Sequence, residues 1–305
     1  MKFSRNLHSY KNISACVATI GNFDGLHLGH QQLFVRLKKE AQQRNLPLTV
    51  ISFEPLPAEF FMPNPPARIY PLRDKVRLLK QLGVDHFLCL KFDSAFANIP
   101  ADIFVSNILI DKLNVRYLAV GDDFRFGHNR LGDFEMLKII GAESGMEVTN
   151  TPTYLQNNER ISSSRIRKLL ETGDITSSNK LLGHNYQLSG RVRHGDKRGR
   201  TIGFPTLNMR IPEHIAPARG VYAVRVKGLG DTILNGVANL GSRPTVNGIE
   251  NRLETHLFDY NDDAYGKYVC IELVEFLREE QRFDDFEVLK KQILKDAEQA
   301  HKLLA

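Results

Sequence analysis

Cysteine is scarce in this chain. Cys16, Cys89 and Cys270 are far apart, odd in number and without metal-ligand spacing, which excludes a disulfide framework and a sulfur-held zinc site. Reduced thiols in a cytoplasmic protein are the expectation. Long hydrophobic runs are missing too. No stretch approaches the length of a membrane span, and Met1 to Lys11 carries polar and charged residues in place of a signal peptide's apolar core. Neither membrane insertion nor export is expected. Internal repeats and low-complexity tracts are absent. Charge imbalance is small: a formal +6 over 305 residues suits anionic small ligands as well as nucleic acid, and decides between neither. No Gly-x-x-x-x-Gly-Lys-Ser/Thr string occurs, so a Walker-type phosphate loop is excluded.

What is present is ordinary in composition, with 42% hydrophobic and 25% charged residues, as in a globular protein. The length exceeds what one core usually organises, so two domains are expected. Up to about Gly183, strand-like runs (Cys16–Ile20, 47–53, 86–90, 117–120, 147–149) alternate with amphipathic stretches at 33–44, 72–82, 101–113 and 131–143. Such alternation predicts a parallel sheet covered by helices, with ligands at the carboxyl ends of its strands. After Gly183 strand-like segments follow one another at 186–193, 204–211, 221–226, 233–238, 253–258 and 268–276, which predicts an antiparallel sheet or small barrel. From Asp284 a helical stripe of Phe286, Leu289, Ile293 and Ala297 predicts a closing helix packed on that barrel. The polar stretch 172–185, with Gly173 and Gly183, is the expected boundary, giving domains 1–183 and 184–305.

One segment concentrates chemistry. Gly21-Asn22-Phe23-Asp24-Gly25-Leu26-His27-Leu28-Gly29-His30 leaves the first buried strand and enters a helix. His27 and His30, three apart, fall in the first helical turn on one face. Unpaired N–H groups there suit a phosphate, and Gly21 and Gly29 remove Cβ atoms that would hold it off. Asp24 has three readings: it orients a histidine, orients a nucleotide, or caps the helix. A second helix start lies in Arg160-Ile161-Ser162-Ser163-Ser164-Arg165-Ile166-Arg167, with arginines suited to a leaving pyrophosphate. Nucleotidyl transfer to a phosphate needs no base, because the nucleophile is already ionised; positioning and electrostatics carry it.

The second half opens with 193–200, where glycines alternate with cationic side chains in a loop suited to phosphates. Gly195, Lys197, Arg198, Gly199 and Arg200 are its candidates. Thr206 and Asn208, two apart in a strand-like run, present neutral oxygens to one side, a set suited to Mg²⁺. Phosphorylating an alcohol requires a proton acceptor, and Glu254 and His256, again two apart, are equal candidates from the residues alone. The basic loop is interleaved with glycine rather than aromatics, so nucleic-acid binding is not expected.

The Gly-x-Phe-Asp-Gly-x-His-x-Gly-His string, Phe53-Glu54-Pro55, the 121–127 string Gly-Asp-Asp-Phe-Arg-Phe-Gly and Ile161-Ser162-Ser163-Ser164-x-Ile166-Arg167 resemble bacterial FAD synthetase modules of the His-x-Gly-His nucleotidyltransferase superfamily. Ser164 stands where that family often has Thr. The segments Gly203-Phe204-Pro205-Thr206-x-Asn208, Gly220-Val221-Tyr222-Ala223-Val224, Gly236–Thr245, Glu254-Thr255-His256 and Glu275-Phe276-Leu277-Arg278 resemble a riboflavin kinase module. The resemblance implies an α/β Rossmann-like nucleotidyltransferase domain followed by a six-stranded antiparallel β-barrel with a C-terminal helix. It implies a bifunctional enzyme that phosphorylates riboflavin with ATP to FMN, then transfers AMP from ATP to FMN, giving FAD and pyrophosphate. Carried over to this chain, it makes His27, His30 and Glu254 catalytic. Gly21, Phe23, Asp24, Gly29, Asp123, Arg160, Ser163, Ser164 and Arg167 would bind ATP in the first domain. Thr206 and Asn208 would hold Mg²⁺ and ATP in the second, with Arg278 on the flavin. Leu207, often Ala in that family, is expected to point into the barrel. The rivals are a transferase for another phosphorylated acceptor with an ancillary barrel, and a non-catalytic flavin-sensing or RNA-binding protein. Intact motifs disfavour both, and homo-oligomerisation is left open.

Overall fold

The computed structural model describes every residue except 8–9, 11–14, 122, 152–153, 157–158, 196–203 and 246–247, and the side chains of 243–250 also lie outside the description. The expectations for Lys197, Arg198, Gly199 and Arg200 fall outside it. The chain forms two compact units, Met1–Pro66 with Lys75–Ser162, and Ala67–Asp74 with Ser163–Ala305.

In the first unit, β1 (Lys2–Ser4), β2 (Cys16–Ile20), β3 (Leu48–Glu54), β4 (His86–Lys91), β5 (Val115–Gly121) and β6 (Glu147–Thr151) form one parallel sheet, ordered β1-β4-β3-β2-β5-β6. Helices α1 (Leu28–Gln43), α2 (Pro57–Phe61), α3 (Leu72–Gln81), α4 (Ser94–Ala97), α5 (Ala101–Ile103) and α6 (Phe134–Glu143) intervene in the chain. Every residue of β2 is buried, which is why its sequence reads as a continuous apolar run. From β2 the chain runs outward through β3 and β4, then returns to β5 on the other side. The connections leaving β2 and β5 therefore diverge and open a crevice at the carboxyl ends of the strands. Both motifs singled out in this half, 21–30 and 121–127, leave from those two strands.

The helix expected over 101–113 begins as α5 but continues as a π-helical stretch, Phe104–Lys112. Leu113 N–H donates to Ile108 C=O, five residues back. Buried Phe104, Val105, Ile108, Leu109 and Leu113 recur at a spacing wider than an α-helix provides, and the wider turn brings them to one core. A short hairpin, β7 (Leu155–Gln156) with β8 (Glu159–Arg160), closes the unit.

The second unit carries α7 (Ser163–Glu171), α8 (Ile175–Leu182), β9 (Gln187–Arg191), β10 (Leu207–Ile211), β11 (Gly220–Lys227), β12 (Leu234–Thr245), β13 (Gly248–Leu257), β14 (Tyr268–Glu279) and α9 (Phe286–Leu304). Its strands form one antiparallel sheet, ordered β10-β13-β12-β11-β14-β9. Beyond β9, Arg193 bridges Asn208 of β10, with Arg193 N–H donating to Asn208 C=O at 2.8 Å. That bridge nearly closes the sheet into a barrel.

A helix, α8, occupies most of the polar stretch 172–185. Asp174 caps it by accepting from Ser177 N–H, and Gly183 ends it in the left-handed conformation at φ 74°. Ile175, Leu181 and Leu182 are buried, so this helix is held by packing rather than by composition. The closing helix α9 also departs from expectation. Its carboxyl half packs on the barrel through Ala297, Ala300 and Leu304. Phe286, Leu289 and Ile293 instead line an open cleft.

Candidate active sites

In the first unit, the chain leaving β2 enters α1 through a backbone that bulky side chains rarely adopt. Phe23 has φ 46°, Leu26 has φ 47°, and Gly25 between them has φ 91°. Such conformations persist only where surrounding packing enforces them, and they cluster at functional sites. Phe23 and Leu26 are buried, which supplies that packing. The cap of α1 is His27: its Nδ1 accepts from His30 N–H at 3.4 Å. The capping reading of Asp24 is thereby corrected, although Asp24 is buried beside the motif.

The two imidazoles lie face to face, with ring centroids 3.7 Å apart and planes 17° from parallel. Phe23 closes over His30 edge-on at 5.2 Å. Burial pushes His27 down to about 4, with the Arg160 charge acting in the same direction. Burial holds His30 well below the ordinary imidazole value too, aided by His27 and the Lys75 ammonium. Both rings are therefore neutral at neutral pH. Because His27 Nδ1 accepts, its proton sits on Nε2, which makes Nε2 a hydrogen-bond donor. Nδ1 of His30 is buried without a hydrogen-bond partner among the described residues. Gly29 serves His27 directly: a Cβ there would stand 3.2 Å from the His27 ring. At Gly21 a Cβ would stand 3.0 Å from the Phe23 ring.

Arg160 reaches this group, and pairs with Asp123 at 3.6 Å in an exposed contact. Ser163, Ser164 and Arg167 belong to the second unit on α7, where Arg167 Nε donates to Ala67 C=O at 2.5 Å. Sequence reasoning missed Lys75. It is 2% exposed and donates to Asn22 C=O at 2.8 Å, so it holds the strained segment from behind. Its signal was a lysine on the apolar face of α3, in helical register with Leu78 and Leu79. Also missed was an aromatic group at the ends of β3 and β4. Phe60 and Phe61 meet Phe92 edge-on at 5.5 and 5.7 Å, and Phe61 remains 63% exposed.

In the second unit, register places Glu254 of β13 between Asn208 of β10 and Asn239 of β12. Leu253, Thr255 and Leu257 are buried, and alternation turns Glu254 and His256 the other way. A cleft of about 430 Å³ opens there, lined by Thr206, Asn239, Glu254, His256, Arg278 and the apolar start of α9. Thr206 also lines a second cleft of about 420 Å³, with Val192, Leu207, Leu257, Tyr260 and Tyr265. Leu207 thus faces that cleft and is only half-buried, contrary to the expectation that it fills the barrel.

Asn208 is buried, its Nδ2 donates to Thr206 C=O at 3.3 Å, and its Oδ1 has no partner among the described residues. An orphaned amide oxygen beside a threonine hydroxyl is a donor set that fits a hard divalent cation. Gly195 lies against the same amide: a Cβ there would stand 2.6 Å from Asn208 Oδ1. His256 Nδ1 donates to Pro205 C=O at 3.0 Å, since a carbonyl can only accept. Arg278 lines the cleft but is committed elsewhere. Its Nε and Nη2 grip the Asp296 carboxylate at 3.0 and 2.7 Å, and Gln292 Nε2 donates to Asp296 at 2.8 Å. Asp296 was missed as well; its signal was an acid on the buried stripe of α9 with Ala300 and Leu304.

A family model described as FAD synthetase matches residues 9–165, and one described as riboflavin kinase matches residues 182–304. The class is thus a parallel-sheet FAD synthetase module followed by a riboflavin kinase barrel. The chain is 47% identical over 299 residues to the bifunctional riboflavin kinase/FMN adenylyltransferase of Escherichia coli strain K12, covering 97% of this chain and 96% of that one. It is 44% identical over 302 residues to the protein of the same name from Haemophilus influenzae, covering 98% of each. The chain belongs to the bifunctional riboflavin kinase/FMN adenylyltransferase family. A solved structure described as a macrolide-efflux protein from Streptococcus pneumoniae shares the fold, with TM-score 0.82 and 33% identity over 97% of each chain. That description is of the other protein. Among the described residues here, no helix is long and apolar enough to cross a membrane.

Proposed function

We propose that the chain makes FMN and then FAD, with residues 184–305 performing the first step and residues 1–183 the second, in the cytoplasm and without nucleic acid. The observation that carries the kinase step is the position of Thr206, which lines both barrel clefts. Riboflavin occupies the cleft with Glu254 and the apolar start of α9, and ATP the neighbouring one, so that hydroxyl and γ-phosphate meet at Thr206. Glu254 accepts the proton of the ribityl 5′-hydroxyl, the freed oxygen bonds to the γ-phosphorus, and ADP leaves. Thr206 Oγ1 and Asn208 Oδ1 would hold Mg²⁺, which when bound would supply charge neutralisation for the phosphates. Glu254 is preferred to His256 because it stands in register between Asn208 and Asn239, beside the amide that would hold the cation. Arg278 acts on the flavin side through its grip on Asp296, by keeping α9 against the barrel. Gly195, Lys197, Arg198, Gly199 and Arg200 serve ATP in this step.

In the second step an FMN phosphate oxygen, already ionised, bonds to the α-phosphorus of ATP, and pyrophosphate departs. His27 and His30 serve as neutral donors toward the phosphate oxygens, with Gly21, Phe23, Asp24 and Gly29 shaping the turn that carries them. Arg160 and Asp123 flank the nucleotide. The aromatic group of Phe60, Phe61 and Phe92 offers an apolar face for the flavin ring. The decisive test is incubation of the pure protein with riboflavin, ATP and Mg²⁺, products being separated over time. FMN should rise first and FAD follow. Absence of both would overturn the proposal.

A further inference from the structure

The second unit holds another cleft, of about 480 Å³, that shares no lining residue with either cleft at Thr206. Four guanidinium side chains, Arg73, Arg191, Arg193 and Arg210, line it, against one carboxylate, Glu213. Its floor is the seam of the barrel, where Arg193 N–H meets Asn208 C=O. Tyr268, 45% exposed, contributes an aromatic wall. The wall is fixed in place, because Tyr268 Oη and Ser189 Oγ share a hydrogen bond at 2.7 Å and Ser189 Oγ donates to the fully buried Asp74 carboxylate at 2.5 Å. The opposite guanidinium is anchored too: Arg73 Nε lies 3.6 Å from Asp74 Oδ2, and its Nη2 donates to Arg210 C=O at 3.4 Å.

With Glu213 in the lining and Asp74 against Arg73, four arginines still leave the concavity net positive, which favours an anion, and guanidinium pairs match phosphate oxygens in geometry. The number of guanidiniums exceeds what a single phosphate engages and suits a chain of two or three. The volume is that of a nucleotide-sized ligand, and an exposed, anchored phenol ring suits a base. We propose that this cleft is a non-catalytic site for a nucleoside di- or triphosphate. The base lies against Tyr268, and the phosphates lie among Arg73, Arg191, Arg193 and Arg210.

The chain contains no tryptophan, so Tyr268→Trp in the full-length protein places a single indole in the cleft. Its emission is titrated with ADP, with pyrophosphate and with adenosine. ADP should give a saturable change, and pyrophosphate and adenosine should each bind at least about tenfold more weakly, because one lacks the base and the other the phosphates. Adding Arg191→Glu and Arg210→Glu should abolish the response. Should that charge-reversed protein fail to fold, Arg210→Gln alone should weaken ADP about threefold or more. No saturable response to ADP would overturn the proposal. So would equal binding of adenosine or pyrophosphate, or an ADP response unchanged by the arginine substitutions, which would place its origin in the catalytic clefts.

Discussion

His27 and His30 are stacked at 3.7 Å, and the Nδ1 of one caps the helix by accepting the backbone N–H of the other. One contact therefore fixes ring orientation, tautomer and helix start together. It also ties the charge state of the site to the stability of the unit that bears it.

An imidazole held at about 4 in the folded chain and near 6.5 when unfolded takes up its proton only in the unfolded state between those values. The folded state is thus favoured fully above pH 6.5, loses stability as pH falls through that window, and loses no more from this residue below about 4. The loss is on the order of 3 kcal/mol. His30 contributes with the same sign. His27→Asn keeps a side-chain acceptor for the cap and should flatten the slope, read as the urea midpoint at a series of pH values. Parallel slopes in the two proteins would count against the buried neutral ring.

Removing the donor should separate the activities. His27→Ala should lower FAD formation from supplied FMN by about 10²–10³-fold, the usual consequence of losing one oriented donor to a developing charge. FMN formation from riboflavin should be unaffected. Chromatography of the two reactions run separately would decide the matter.

Glu254→Gln should do the reverse, lowering FMN formation by about 10²–10⁴-fold as expected for a lost general base. FAD formation from FMN should stay intact. His256→Ala should have a much smaller effect, because Glu254 and not His256 stands opposite Asn208. A steeper loss in His256→Ala than in Glu254→Gln would reverse the assignment.

Gly195→Ala tests the fit around Asn208. A methyl group at 2.6 Å from Oδ1 must displace that amide, and a misplacement of this size costs about a hundredfold in rate. Kinase kcat should fall while FAD formation holds, and raising Mg²⁺ should recover part of it.

Asp296→Ala leaves Arg278 without its carboxylate. Breaking a mostly buried pair by removing one partner should cost about 2–4 kcal/mol. Thermal unfolding of the second unit should move down, and KM for riboflavin should rise as α9 loosens over the cleft.

Much of this architecture was legible because it is local. The strand Cys16–Ile20 was read at its observed limits, since five consecutive buried residues leave a pattern no exposed segment shares. That Glu254 and His256 share one side of a strand was likewise legible from alternation, but alternation did not choose between them; only the family resemblance did. What escaped depends on distant partners. Lys75 bears on the 21–30 turn across 53 residues, and Asp296 on Arg278 across 18. Each showed only as a charge in an apolar stripe. The stripe of α9 misled for a different reason: period gives the direction a side chain points, not whether protein or ligand meets it. Phe286 and Ala297 share a face, but one borders an open cleft and the other a core.

The Arg193–Asn208 bridge has a consequence for the order in which the kinase becomes competent. Strands β10, β13 and β12 are consecutive neighbours in the sheet, so Asn208, Glu254 and Asn239 can align before the two edges meet. Gly195 reaches Asn208 only when the edges do meet, two residues past the bridge. Although it joins the two ends of the sheet, this closure spans only 15 residues of chain, against 46 between the paired Asn208 and Glu254, so its loop-entropy cost is the smaller of the two. A newly made chain can therefore form the Arg193–Asn208 bridge, and set Gly195 against the amide that would hold the cation, without waiting for the long-range pairing that brings Glu254.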